Sequence, residues 1–149
     1  TISVKIIFIN MDMYKTYKGY YKPKNPHKYN GNPNNIIYRS SWERSFMRYC
    51  DRTVNILEWS SEEVVIPYRC PTDGKRHRYF PDFLIKVKNK KQEIEMHLIE
   101  IKPFKQLLKP KNGKRFLKEM KTWTKNQAKW EAATRLCNRR NWKFKIINN

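Results

Sequence analysis

Two short runs decide the fold: Pro81-Asp82-Phe83-Leu84-Ile85-Lys86-Val87 and Ile94-Glu95-Met96-His97-Leu98-Ile99-Glu100-Ile101-Lys102. Phe83 to Val87 and Ile94 to Ile101 are rich in aliphatic residues of β preference, and Asn89-Lys90-Lys91 supplies the turn between them. Pro103 closes the second run. Side chains alternate across a strand, so Leu98, Glu100 and Lys102 share one face and Ile99 and Ile101 the other. Asp82 opens the first strand and Glu100 nearly ends the second, with seventeen residues between them. A hairpin of that length sets the two acids opposite one another, with Lys102 beside Glu100.

Outward from this hairpin the pattern continues on both sides. Upstream, Val64-Val65-Ile66-Pro67-Tyr68 and His77 to Phe80 are β-prone and flank Pro71-Thr72-Asp73-Gly74, a strong turn signal. Ser60 or Ser61 interrupts the chain before them. Ser40-Ser41-Trp42-Glu43 has the form of a capping box, and Trp42, Phe46 and Tyr49 or Cys50 recur at helical spacing, so a helix is expected to start at Ser40. Downstream, residues 103–113 form a basic loop. Phe116, Met120, Trp123, Gln127, Trp130 and Cys137 then mark one stripe of a long helix, a core stripe rather than a cofactor box. Lys114, Lys118, Lys121, Lys125 and Lys129 are expected on its opposite face. Trp142 to Ile146 alternates as a last strand. The order helix, three or four antiparallel strands, helix, strand is that of an α/β layer with a mixed central sheet.

The 149 residues divide into an N-terminal extension and arm, 1–35, and one domain, 36–149. The first ten or so residues receive no role. Within 14–35, Tyr14, Tyr17, Tyr20, Tyr21 and Tyr29 are interspersed with Lys15, Lys18, Lys22, Lys24 and Lys28, and three prolines forbid long regular structure. Such a segment either meets phosphates and stacks on bases or packs its tyrosines on the domain.

Lys and Arg number 33 against 13 Asp and Glu, a net charge of +20. That field favours a polyanion and argues against an acidic enzyme of small molecules. Fourteen of the basic residues follow Pro103, against only Glu119 and Glu131. Three cysteines without C-x-x-C spacing exclude a disulfide framework and the common zinc sites, and point to a reduced, intracellular setting. No apolar run approaches the ~18 residues of a membrane span, so no membrane partner is expected. Neither a Gly-rich phosphate loop nor a Ser/His/Asp arrangement is present, which leaves no nucleotide cofactor to expect. His97 falls on the face of Ile99 and Ile101, away from the acids, while His77 lies between Arg76 and Arg78.

In a chain this poor in acids, each carboxylate is informative. Asp82, Glu100 and a backbone carbonyl, with Lys102 alongside, make a hard, oxygen-rich site for Mg²⁺. A cation there orients water for attack on a phosphodiester and offsets charge on the leaving oxygen. The bland alternative is a surface strand with an ordinary Glu–Lys pair.

Pro81-Asp82…Glu100-Ile101-Lys102 resembles the signature of the PD-(D/E)XK nuclease superfamily. The resemblance implies a restriction-endonuclease-like core in which Asp82 and Glu100 bind the catalytic metal, joined by the Ile101 carbonyl, and Lys102 contacts the attacking water. It also implies that Glu43, on the first helix, reaches the metal; its other reading is the capping box alone. Tyr38-Arg39-Ser40-Ser41-Trp42-Glu43, Val65-Ile66-Pro67-Tyr68, Gly74 to Phe80, Ile99 to Pro103 and the Trp123…Lys129-Trp130 helix together resemble the head completion nucleases of tailed phages, over roughly residues 14–147. The likeness extends to the N-terminal nuclease domain of the transposon endonuclease TnsA. It implies a Mg²⁺-dependent deoxyribonuclease, with Mn²⁺ as a substitute, that acts on packaged DNA before tail attachment. The implied partners are DNA and phage capsid or neck proteins, and the implied setting is the infected host's cytoplasm or the virion head. Lys75, Arg76, Arg78, Lys105, Lys114, Arg115 and Lys118 are the expected phosphate contacts. The competing reading is a basic, non-catalytic DNA-binding or capsid-docking protein on the same fold. A mere binder has no use for acids facing DNA, since they repel phosphate unless a cation intervenes.

Overall fold

The computed structural model describes residues 18–148. Strands β1 (Gly19–Tyr20) and β2 (Ile37–Tyr38) lead into helix α1 (Ser41–Arg52), followed by β3 (Ile56–Ser61), β4 (Ile66–Arg69), β5 (Arg76–Tyr79), β6 (Phe83–Lys88), β7 (Ile94–Ile101), helix α2 (Phe116–Arg140) and β8 (Lys143–Ile147). The main sheet runs β3-β6-β7-β8. Its first three strands are antiparallel, and β8 joins β7 in parallel. The sheet is therefore mixed, as the element order suggests, because only a helical crossover can return β8 alongside β7.

Two cores lie on opposite faces of this sheet. On one, α1 packs Trp42, Phe46, Met47 and Cys50 against Trp59, Phe83, Ile85, Ile99 and Ile101. On the other, α2 and the β4–β5 hairpin enclose Leu98 with Tyr68, Tyr79, Trp130, Ala133 and Cys137. β7 is thus buried on both faces. Glu100 lies on the same face as Leu98, as the alternation requires, and that face is buried as well, leaving Glu100 4% exposed.

The differences from the sequence reading have local causes. β3 was not expected as a strand, because a register shift between Ile56 and Glu58 breaks its alternation, leaving Leu57 and Glu58 both exposed. Gln127 is exposed; Asn126 takes the buried position beside Trp130. Lys129 does not lie on the outer face of α2. It sits half-buried, 5.6 Å from the ring centre of Tyr79 and 6.0 Å from that of Tyr68.

The described part of the Tyr/Lys segment packs on the domain. Tyr29 is buried against Trp59, their ring centres 4.7 Å apart. Asp51, fully buried in α1, accepts hydrogen bonds from the Tyr21 hydroxyl at 2.8 Å and from the Lys24 and Asn25 N–H groups at 2.7 and 2.9 Å. The Lys28 ammonium donates to the carbonyls of Cys50, Asp51 and Thr53, satisfying the last turn of α1. Tyr14, Tyr17 and Lys15 lie outside the described residues.

Candidate active site

The site begins with strand register. Phe83 pairs Ile99 and Leu84 pairs Leu98, so the next step of the same ladder sets Asp82 against Glu100. Asp82 Oδ2 accepts the Ile101 N–H at 2.7 Å. The N–H and C=O of a strand residue leave by the same edge, so the Ile101 carbonyl opens toward Asp82. The Lys102 N–H leaves by the other edge, to the Ile147 carbonyl at 3.0 Å.

Glu100 is held at both oxygens. The Tyr79 hydroxyl donates to Oε2 at 2.7 Å, and the Lys102 ammonium lies 3.3 Å from Oε1. Burial, then the adjacent Glu100 carboxylate, pushes the Tyr79 phenol far up, so it remains a donor. Above it, burial and the neighbouring Lys102 charge lower the Lys129 ammonium.

Glu43 arrives from the first turn of α1. Ser40 caps that helix, its hydroxyl accepting the Glu43 N–H at 3.1 Å. The reciprocal bond of the capping box is displaced by one residue: Glu43 Oε2 accepts the N–H of Arg39, at 3.0 Å, instead of that of Ser40. Burial, above all, and then the nearby Glu62 and Glu100 raise the Glu43 carboxyl, against the Arg39 N–H and charge. The Asp82 carboxyl is driven well above the ordinary carboxylate range by burial, by Glu100 and by Glu43; the Ile101 N–H and the Lys102 charge oppose this without cancelling it.

The structure therefore brings Glu43, Asp82, Glu100 and Lys102 into one electrostatic neighbourhood. The three carboxyl groups meet Lys102, with Arg39 acting on Glu43 and Lys129 on Glu100, and two of the acids still resist ionisation. Such a trio is short of positive charge, which is the condition a divalent cation relieves. Oxygen donors from three carboxylates and one carbonyl are the hard set that Mg²⁺ or Mn²⁺ takes. The donor chemistry of these residues suits that ion; the oxygens of Glu43, Asp82 and Glu100 do not all lie within 4.8 Å of one another.

Sequence reasoning missed Tyr79, Lys129 and the Arg39–Glu62 pair, in which both carboxylate oxygens lie 2.7 Å from the guanidinium. Tyr79 had a readable signal, since it is the buried end of the alternating Arg76–Tyr79 strand three residues before Asp82. Glu62 had none, because its left-handed backbone at φ 55° sets it beside the site.

Of the expected phosphate contacts, Lys75, Arg76 and Arg78 are exposed on the β4–β5 hairpin, with Arg78 over the Phe80 ring. Lys105, Arg115 and Lys118 line one cavity between α2 and the loop after β7, and Lys114 is exposed beside it. His77 is engaged by Asp73 at 2.7 Å, and one ligand atom each of Cys70, Asp73 and His77 lies within 4.8 Å of the others. His97 is bonded to Glu95 at 2.8 Å, away from the acids. No helix among the described residues is long and apolar enough to cross a membrane.

Comparison with known proteins adds to this geometry. Residues 53–149 match the family described as TnsA-like endonuclease N terminal, a stretch containing Asp82, Glu100 and Lys102. Over 139 residues the chain is 40% identical to the head completion nuclease of Enterobacteria phage T4, an alignment covering 88% of this chain and 90% of that protein. No solved structure matches.

Proposed function

The chain belongs to the TnsA-like endonuclease family and is a nuclease, and from that premise we propose that it is a metal-dependent DNA endonuclease with a PD-(D/E)XK site. The observation that carries this reading is Asp82 bonded to the Ile101 N–H of β7 at 2.7 Å, beside Glu100 and its ion pair with Lys102, with Glu43 in electrostatic reach. Asp82, Glu100 and the Ile101 carbonyl would hold the ion, with Glu43 closing the set from α1. The ion, Mg²⁺ or Mn²⁺, supplies charge compensation for the phosphodiester as it is hydrolysed.

The chain's own residues do the positioning. Tyr79 fixes Glu100 by its hydroxyl, so the carboxylate meets the ion already oriented. Lys102, ion-paired with Glu100 at 3.3 Å, would orient the attacking water and balance charge developing on phosphate. The exposed cations of the β4–β5 hairpin and of the loop after β7 meet the flanking phosphates. In hydrolysis the water oxygen bonds to phosphorus, the P–O bond to the leaving oxygen breaks, and that oxygen takes a proton. The T4 relative's name extends the reading to head completion, and we infer from it that the DNA is the packaged genome, processed before tail attachment with capsid or neck proteins as partners.

Purified protein is expected to nick or cut DNA with Mg²⁺ or Mn²⁺ and to be silent in EDTA. Asp82→Ala and Glu100→Ala should each abolish cutting while DNA binding stays the same or tightens, because each removes negative charge near phosphate. If both variants still cleave, the site is elsewhere.

A further inference from the structure

The loop that follows β7 forms one wall of a cavity whose cations include expected phosphate contacts. The cavity occupies about 550 Å³ between the loop that follows Lys102 and the first half of α2. This is within the ~300–1,000 Å³ range of sites for small ligands. Five cations line it, against the single carboxylate of Glu119. Its inner wall is made by Trp123 and Asn126.

That wall carries an unusual pair of groups. Trp123 Nε1 and Asn126 Nδ2 are buried and have no hydrogen-bond partner among the described residues. Asn126 is only 4% exposed. A buried amide left unpaired costs about 1–3 kcal/mol, and an alanine or leucine there would avoid the cost. The Lys109 ammonium lies over the Trp123 ring, 5.6 Å from its centre. The cavity thus offers an aromatic side chain and a cationic rim, with two buried, unpaired N–H donors behind its inner wall.

We propose that this cavity seats one unpaired nucleotide of the DNA substrate. The base stacks on Trp123, and Lys109 and Arg115 meet its phosphates. Every base has a π face, so such a seat tolerates sequence while requiring that the base be out of the duplex stack. The inference rests on the nuclease reading for its substrate and deepens it. The loop from Pro103 onward joins the acid-bearing strand to the cavity, so a DNA end or junction with an unpaired base is the favoured substrate over a fully paired duplex.

The test is a binding titration of the full chain in EDTA at constant salt, read by fluorescence anisotropy. The probes are a blunt duplex and the same duplex with a short unpaired tail. The tailed DNA is expected to bind more tightly, and Trp123→Ala to remove that preference, a loss of roughly 5- to 150-fold on the tailed probe with the blunt one unchanged. A 2-aminopurine base in the tail, read with the unaltered protein, should be quenched on binding and protected by excess unlabelled tail but not by blunt duplex. Equal affinity for both probes, an equal loss on both in the variant, or an unquenched 2-aminopurine would overturn the proposal. The two readings fail separately. Metal-dependent cleavage of blunt and tailed DNA at equal rates removes the nucleotide seat and leaves the nuclease. A tail preference in EDTA from a protein that no divalent ion makes cleave leaves the seat and removes the nuclease.

Discussion

Asp51 and Asp82 are both withdrawn from solvent, yet burial has opposite consequences at the two. Burial alone would raise the Asp51 carboxyl, but the Lys24 N–H, the Tyr21 hydroxyl, the Asn25 N–H and the Lys28 charge outweigh it and hold the group below the usual carboxylate range. Asp82 has one such donor, and its neighbours include two further carboxylates. The first acid finds its positive partners within the chain and is structural. The second is left in deficit, which is the condition the proposed cation would relieve. Partner supply, more than burial, separates a structural acid from a functional one.

The largest test of that contrast is activity. Asp82→Asn should lower metal-dependent cleavage by about 10³-fold, the upper scale for losing one preorganised electrostatic partner, whereas Asp51→Asn should leave the rate of the folded fraction within a few-fold. Active-site titration with a gel-based cleavage assay separates the two. Stability should move in opposite senses. Asp51→Ala leaves the Tyr21 hydroxyl and the Lys24 and Asn25 N–H groups short of a partner and should cost about 1–3 kcal/mol in urea unfolding. Asp82→Asn, measured without metal, should stabilise by about 0.5–2 kcal/mol, as relaxing a functional site commonly does. Equal signs would break the comparison.

Acid titration sharpens it further. Asp51 has a lowered folded value, so its contribution is present above the unfolded aspartate value of about 3.9 and lost as pH falls through the folded value. Asp82 has a raised folded value, so its contribution is complete below about pH 4 and lost as pH rises through that value. In EDTA, Asp51→Asn should therefore remove part of the instability at low pH, and Asp82→Asn part of the decline toward neutral pH, both visible in unfolding midpoints from pH 3 to 8. The smallest effect expected is on the salt dependence of DNA binding. Charge reversal at Lys114, Arg115 and Lys118 together should flatten log K against log salt by up to about three units on duplex DNA. The same number of changes in the 61–66 segment should not.

Much of the catalytic hairpin is legible in the sequence because its signals are local. β7 runs from Ile94 to Ile101 as its aliphatic pattern states, and counting back through the turn sets Asp82 against Glu100. Ser40 announces itself by its spacing to Glu43. What escapes the sequence depends on tertiary partners. The bulge in β3 erases its alternation. A helical wheel of α2 cannot tell Asn126 from Gln127, because only the loop after β7 decides which lies inside. Lys129 reads as solvated until the Tyr68 and Tyr79 rings appear beneath it. The tyrosine-rich segment gives no period at all, and its described part acquires structure from the far end of α1.

That last attachment gives α1 the mechanics of a pointer. The helix has twelve residues, hence a length of about 18 Å, with Lys28 gripping its C-terminal carbonyls and Glu43 carried at the opposite end. A tilt of about 5° at the gripped end swings the tip by about 1.5 Å, and misplacement of about 1 Å can cost a reaction ~10²-fold. Lys28, remote from the acids, thereby sets the aim of Glu43. Cutting the chain after residue 35 would remove the grip along with the tyrosines, so a truncation made to ask what the segment does for DNA would answer by letting the pointer drift.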